Sequence, residues 1–397
     1  MKLVHVLPTL NPASGGPTEY VRQVVPAVMA AGHHVEALTL DRPQAPWLSG
    51  LPFPVHAMGP SWGKYGYTPR LVPWLRENAG RYDVVIIHGM WQYHCFGAWR
   101  ALRHRVPYVV FTHGMLAPWF KRTYRLKHLK KWLYWPWADY RVLRDARAVL
   151  FTSEEERRAA RQSFWMYRCN DRVISYGTAA PAGDVAEQEH SFYAHFPELR
   201  GKRLVLFMSR LHHIKGCDLL IEAFARVLRG CPDWHLVMAG PDQLGWQNDL
   251  RAQADSLGIG DRVTWAGMLT GDIKWGAYRA AAVFALPSHH ENFGIVVAEA
   301  LACGLPVLIS NGVNIWREVQ DDGAGLVAND DLEGVCSLLQ SWLDMSSEQK
   351  ERMRQQARRC FAERFEIGRA AAALIEMATA VRGEAGPCDH WVATCAL

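Results

Sequence analysis

Short β-branched runs alternate with helical stretches along nearly the whole chain, and the alternation breaks off once and restarts. Runs at 3–7, 35–40, 84–88, 108–113, 148–153 and 173–176 read as strands bounded by glycine, proline or polar turns. Strands that alternate with helical patterns imply β-α-β units and a parallel sheet with helices on both faces. From 183 to 201 the sequence turns polar, through Asp184, Glu187, Gln188, Glu189 and His190, and loses its apolar period. A new series then opens with Leu204-Val205-Leu206-Phe207-Met208 and continues at 236–239, 263–266, 283–286, 307–309 and 325–327. The expected fold class is α/β, with two doubly wound Rossmann-like domains facing across a cleft. The first domain is 1–183, a linker spans 184–202, and the second domain is 203–364. Helical patterns at 347–361 and 367–381 close the chain. The terminal helix, 365–382, is expected to cross back to the first domain, and 383–397, without periodicity, to form a loose tail.

Length agrees with two cores, since 397 residues exceed what one hydrophobic core usually organises. No apolar run approaches the roughly 18–20 residues that span a bilayer. The opening Met1-Lys2-Leu3-Val4-His5-Val6-Leu7 is too short for a secretory leader and has no small-residue cleavage site before Gly15-Gly16, so it reads as a first buried strand. The nine cysteines are scattered and never spaced Cys-x-x-Cys, which fits neither a disulfide framework nor a zinc site and points to a cytoplasmic protein.

The net charge of +5 is unevenly placed. Between Lys121 and Arg147 lie nine lysines and arginines against Asp139 and Asp145, interleaved with Trp119, Phe120, Tyr124, Trp132, Tyr134, Trp135, Trp137 and Tyr140. This basic aromatic insert, 116–147 in the first domain, can lie on an anionic membrane surface at the inner face of the plasma membrane. It can equally form an aromatic helix pair packed inside the domain with a basic outer face. It fits no groove-reading motif, so nucleic acid is not an expected partner.

Three loops carry chemistry. Arg210 and Lys215 follow the first strand of the second domain, where a guanidinium fork and an ammonium can neutralise a diphosphate, or simply be solvated charges at a strand end. Glu291-Asn292-Phe293-Gly294-Ile295 follows the 283–286 strand and opens a helix at 295–303 that also contains Glu299. Amides near Gly294 and Ile295 would form a helix N-terminus that attracts phosphate, while a capping glutamate and an unrelated surface glutamate are the plain alternative. Gly15 and Gly16 follow the first strand and let backbone approach a ligand. No Gly-x-Gly-x-x-Gly fingerprint follows a strand, which argues against a dinucleotide cofactor. His88-Gly89 and His113-Gly114 sit at strand ends, placed to project from the sheet or to pack. The pairs His212-His213 and His289-His290 lack a third spaced ligand, so no metal site is expected.

In order along the chain, Ser-Arg-Leu-x-x-x-Lys-Gly at 209–216, Ala239-Gly240, Ala266-Gly267 and Glu291-x₇-Glu299 resemble glycosyltransferase family 4, the group 1 glycosyltransferases with the GT-B fold. The resemblance is strongest from 204 to about 327 and extends upstream through Gly15-Gly16 and His113. It implies transfer of a sugar from a nucleotide-sugar donor with retention of configuration and without a required metal or other cofactor. It further implies that Arg210 and Lys215 bind the donor diphosphate, with Gly16 offering its amide to the same group. Glu291 would contact the donor sugar, residues 292–295 would supply amides, Glu299 would hold the ribose, and His113 would approach the sugar. The acceptor would be a glycan or lipid-linked intermediate of cell-surface polysaccharide synthesis. A nucleotide-sugar epimerase on the same fold, or a non-catalytic sugar-nucleotide binder, are the alternatives. The chain departs from the family's Pro-Asn-Gly-like turn, reading Ser175-Tyr176-Gly177-Thr178 instead.

Overall fold

The structure, a computed structural model, describes residues 1–118 and 125–383, with the side chains of 125–127 excepted. The start of the basic insert, including Trp119, Phe120, Lys121, Arg122 and Tyr124, and nearly all of the 383–397 tail therefore lie outside the described residues. The chain divides into two compact units, Met1–Tyr176 with Ile367–Leu397, and Gly177–Glu366.

The first unit holds β1 (Lys2–Leu7), β2 (His34–Thr39), β3 (Val55–Ala57), β4 (Val84–His88), β5 (Tyr108–Phe111), β6 (Ala148–Phe151) and β7 (Asp171–Val173). They form a parallel sheet in the order β3-β2-β1-β4-β5-β6-β7. The second unit holds β8 (Arg203–Met208), β9 (Trp234–Ala239), β10 (Val263–Gly267), β11 (Val283–Leu286), β12 (Val307–Ser310) and β13 (Gly325–Ala328), parallel in the order β10-β9-β8-β11-β12-β13. The central strands β4, β5, β9 and β11 are buried at every position, because helices cover both faces, and are mostly apolar in consequence. Each sheet reverses its strand order once, between β1 and β4 in the first unit and between β8 and β11 in the second. Ligands of open α/β sheets bind beyond the carboxyl ends of the strands at such a reversal.

Three segments differ from the sequence expectation. Residues 184–202 are not a free linker. Val185–His195 is a helix capped by Asp184, with Gln188 and Phe192 fully buried against the helix Gly271–Ala280. A Cβ on Gly276 would sit 2.0 Å from the Gln188 carbonyl, so glycine there lets the two helices touch. The strand expected at 173–176 is displaced to Asp171–Val173. Beyond it Tyr176 leaves the sheet to stack on Tyr20, ring centroids 4.0 Å apart. The edge strand Val55–Ala57 was not expected at all.

The terminal helix Ile367–Gly383 clusters with the first unit and packs on the helix Gly16–Ala30. Among the described residues the cysteines are all free thiols, and no helix is long and apolar enough to cross a membrane.

The insert divides by side chain. Trp135 is fully buried and stacks on Phe164 at 4.5 Å, whereas Trp132, Leu133 and Trp137 are exposed.

Candidate functional site

The reversal in the second sheet is where the predicted cations and carboxylate meet. Beyond β8 the chain makes a short turn over His213–Lys215 and enters the helix Cys217–Val227 through Gly216, which has φ +64°. A Cβ on Gly216 would lie 2.2 Å from the Pro287 carbonyl, so only glycine lets this turn press against the loop that follows β11. The two loops are also joined by the His289 amide, which donates to the Ile214 carbonyl at 2.8 Å. Lys215 is buried in consequence, and its Nζ pairs closely with Glu291 Oε2.

Glu291 is fixed from both sides. Its amide donates to Gly312 O at 2.9 Å, and its carbonyl accepts from Asn314 at 3.0 Å. Burial by itself would raise the Glu291 carboxyl, but the Lys215 ammonium, with His290 and Arg210, overrides that and holds it below its ordinary value. Arg210 is exposed, with Nη1 3.3 Å from Gln243 Oε1, and close enough to contribute to that field.

Gly294 caps the helix Ile295–Ala302 in the left-handed conformation, φ +76°. The amides of Ile295 and Val296, in the first turn, have no acceptor within the helix. The Asn292 amide donates to Glu291 Oε1 at 3.1 Å. Phe293 points its ring elsewhere, edge-on to Phe365 at 5.6 Å, which leaves only its backbone for a ligand. Glu299 is 3% exposed, with Oε1 2.6 Å from Lys274 Nζ and Oε2 accepting from Tyr278 at 3.0 Å. Lys274 and Tyr278 share one helix face by their spacing of four, but sequence gave no sign that they face Glu299.

His213 packs on Trp246 at 3.8 Å, His289 Nδ1 is 2.8 Å from Asp330, and His212 Nδ1 accepts from the Ile214 amide.

In the first unit, Gly15 has φ +91° and Gly16 begins the helix Gly16–Ala30, both with open space where a Cβ would point. The Gly16 carbonyl accepts from Tyr176 OH at 3.4 Å. His113 lies one residue past Thr112 at the end of β5, with φ +48°, a conformation unusual for a side-chain-bearing residue. Glu156, unremarked in the sequence, holds it there. This buried carboxylate accepts from Thr112 Oγ1 and the Gly114 amide on one oxygen, and from the Thr152 amide and Oγ1 on the other, all within 2.6–2.8 Å. The His113 ring stacks on His88 and Phe111, with centroids at 5.2 and 5.4 Å, and meets Tyr176 edge-on.

Residues 194–360 match the family described as glycosyl transferases group 1, and residues 15–177 match the glycosyl transferase 4-like domain. A GDP-mannose:cellobiosyl-diphosphopolyprenol alpha-mannosyltransferase of Xanthomonas oryzae is 26% identical over 86% of this chain and 87% of its own length. The lipopolysaccharide core biosynthesis mannosyltransferase LpsB of Rhizobium meliloti is 27% identical over 51% of this chain. That match, like those to several D-inositol 3-phosphate glycosyltransferases, spans less than two thirds of the relative's length, 64% for LpsB. The fold is similar to that of sucrose-phosphate synthase from Thermosynechococcus elongatus, with TM-score 0.74 and 21% identity, covering 96% of this chain and 99% of that one. It is also similar to that of Anabaena HepE, solved with UDP and glucose, with TM-score 0.73 and 18% identity, covering 96% and 100%. With both halves matched, the chain belongs to the group 1 glycosyltransferases of family 4.

Proposed function

We propose that this chain is a retaining glycosyltransferase that moves a hexosyl group from a nucleotide-sugar donor to a glycan or lipid-linked acceptor in cell-surface polysaccharide synthesis. The observation that carries the reading is the buried Lys215, held by Glu291 at the strand reversal beside exposed Arg210. An ammonium has three donors, and Glu291 fixes its direction without using them all. As the bond from the sugar carbon to the diphosphate breaks, its electron pair goes to the phosphate oxygen. Fixed cations stabilise that growing charge most where it develops. The acceptor hydroxyl attacks from the face the diphosphate leaves, and its proton passes to the departing phosphate oxygen, which retains configuration. Glu291 is engaged by Lys215 and is assigned to orienting the ammonium and the donor sugar, not to a covalent intermediate. Ile295 and Val296 add amides for phosphate, and Glu299 accepts the ribose hydroxyls. In the first unit, Gly15, Gly16 and His113 are the surface offered to substrate.

The experiment is release of nucleoside diphosphate from GDP-mannose and UDP-glucose, the donors suggested by the names of the Xanthomonas relative and HepE, with and without lipid-linked oligosaccharide. Acceptor-dependent release, with the donor's anomeric configuration kept in the product, supports the proposal. A donor that changes without acceptor indicates an epimerase, and binding without release a silent binder. The exposed Trp132, Leu133 and Trp137, with Lys130, Arg141 and Arg144 on the same insert, support peripheral docking on an anionic membrane on the cytoplasmic side.

A further inference from the structure

Behind His113 runs a chain of histidines that the proposed chemistry does not use. His113 Nε2 is 2.9 Å from His88 Nδ1, and His88 Nε2 is 2.8 Å from His5 Nδ1. His5 lies on β1, His88 ends β4, and His113 follows β5, three neighbouring strands of one sheet. His5 and His88 are sealed from solvent. Burial drives the imidazoles of His5 and His113 down to about 3, and burial with the neighbouring histidines drives His88 well below its ordinary value, so all three are neutral.

Three neutral imidazoles in a row have one proton each, and each contact needs one donor and one acceptor. Only two arrangements satisfy both contacts. Either every proton is on Nδ1 and the hydrogen bonds point from His5 toward His113, or every proton is on Nε2 and they point back. The two differ at the buried end, where His5 Nε2 has no partner among the described residues. The first arrangement leaves a bare nitrogen there, the second an N–H donor, and orphaned buried donors are the rarer event. Neighbouring His94 shows the same choice. Its Nε2 donates to the His88 carbonyl at 2.7 Å, and the nitrogen left without a partner is the bare Nδ1.

We infer that His5 and His88 are positioning residues that lock His113 as its Nδ1–H tautomer, so that it presents a hydrogen-bond donor to a substrate oxygen and no lone pair to a substrate proton. His113 Nε2 is occupied by His88, while Nδ1 has no hydrogen-bond partner among the described residues, and the residue is partly exposed. The sealed end at His5 gives a proton no exit, so the chain holds a tautomer and does not relay protons. Resting on the transferase reading, this sharpens it: His113 binds a sugar hydroxyl through its oxygen and is not the base for the acceptor.

The test is long-range proton–nitrogen correlation NMR of the full-length chain with nitrogen-labelled histidine, His113 being assigned by its loss in His113→Asn. The inference expects His113 protonated at Nδ1 and bare at Nε2, and the opposite pattern overturns it. In His88→Leu, His113 should show both tautomers. Its kcat should fall about tenfold while KM for the donor stays within about threefold, since the fold and the donor site are kept. In His88→Asn, whose amide N–H can stand where Nδ1–H stood, the Nδ1–H signal and most of the lost turnover should return. A folded His88→Leu with wild-type spectrum and kcat overturns the positioning role; if that variant does not fold, the wild-type spectrum decides. A locked tautomer in a protein that cleaves no nucleotide sugar upholds the lock and removes the transferase reading instead.

Discussion

Lys215 and Glu291 lie 76 positions apart in the chain and meet as an ion pair whose side chains are 7% and 20% exposed. Removing one partner of a buried pair leaves the other charge uncompensated, at a cost of about 3–5 kcal/mol. Lys215→Met should therefore lower the urea midpoint, and Lys215→Met with Glu291→Gln should recover much of that loss. Neither should recover turnover. Loss of a group aimed at the leaving charge typically costs about 10²–10³ in kcat, measurable as nucleoside diphosphate release.

The same pair sets a pH signature. Lys215 holds the folded Glu291 below its ordinary value of 4.5, so the pair's contribution is present above that value and is lost as pH falls through the lower folded one. Without Lys215 the strongest opposing charge is gone and burial, resisted only by His290 and Arg210, moves Glu291 upward, so its ionised form is most destabilising near neutrality. The stability gap between Lys215→Met and wild type should be widest near neutral pH and should shrink on acidification below about 4.5, read from urea midpoints across pH.

Gly216 joins the cation loop to the loop after β11 and has two reasons to be glycine, its positive φ and the Pro287 carbonyl at 2.2 Å from any Cβ. Gly216→Ala should cost about 1–3 kcal/mol and reduce turnover together, because relieving the clash moves Lys215 away from Glu291. Thermal unfolding and nucleoside diphosphate release measure the two effects.

How much of this was readable in advance follows from where the information resides. β4 and β11 are buried on both faces, so their runs are apolar up to His88 at the end of β4 and their limits are plain from residue type. β3, with three half-buried residues at a sheet edge, has no such signal. The helix Val185–His195 looked like a linker because only Gln188 and Phe192 turn inward, and what covers them lies some 80 residues later. Arg210, Lys215 and Glu291 stood out as charges at strand ends. That Lys215 is buried and directed by Glu291 depends on the order of β8 and β11, a property of the sheet. Glu156 is the third of three consecutive glutamates at a helix start, and only the fold shows that it alone turns inward.

Glu156 accepts four hydrogen bonds and has no water to fall back on. In Glu156→Gln the amide NH₂ must face donors on one side, whichever way it is turned. Leaving buried donors unmatched costs about 1–3 kcal/mol. The Thr112–Gly114 turn should loosen, releasing His113 from its positive φ. The expected outcome is a lower melting temperature and a fall in kcat, whereas Glu155→Gln, on the neighbouring helix position whose carboxylate pairs with the exposed Arg158 at 3.2 Å, should change melting by no more than about 0.5 kcal/mol.

The insert's exposed aromatics make the last prediction. Trp137 is 69% exposed with the Arg141 guanidinium 5.6 Å from its ring, and Trp132 is 43% exposed with Trp165 at 6.3 Å. Trp135, from the same segment, is wholly buried, so the insert is anchored by one indole and shows others outward. Indoles beside cations suit the headgroup region of an anionic bilayer, where each lysine or arginine near the surface contributes about 1 kcal/mol. Trp132→Ser with Trp137→Ser should leave melting within about 0.5 kcal/mol of wild type, because neither side chain is in the core. The double variant should lose flotation with vesicles containing anionic lipid, and wild-type flotation should weaken as salt rises, since the attraction is screened over about 10 Å at 0.1 M. Trp135→Ser should instead lower the melting temperature, since it opens a cavity against Phe164. Flotation of wild type that ignores lipid charge would show that the outward indoles do not serve an anionic surface.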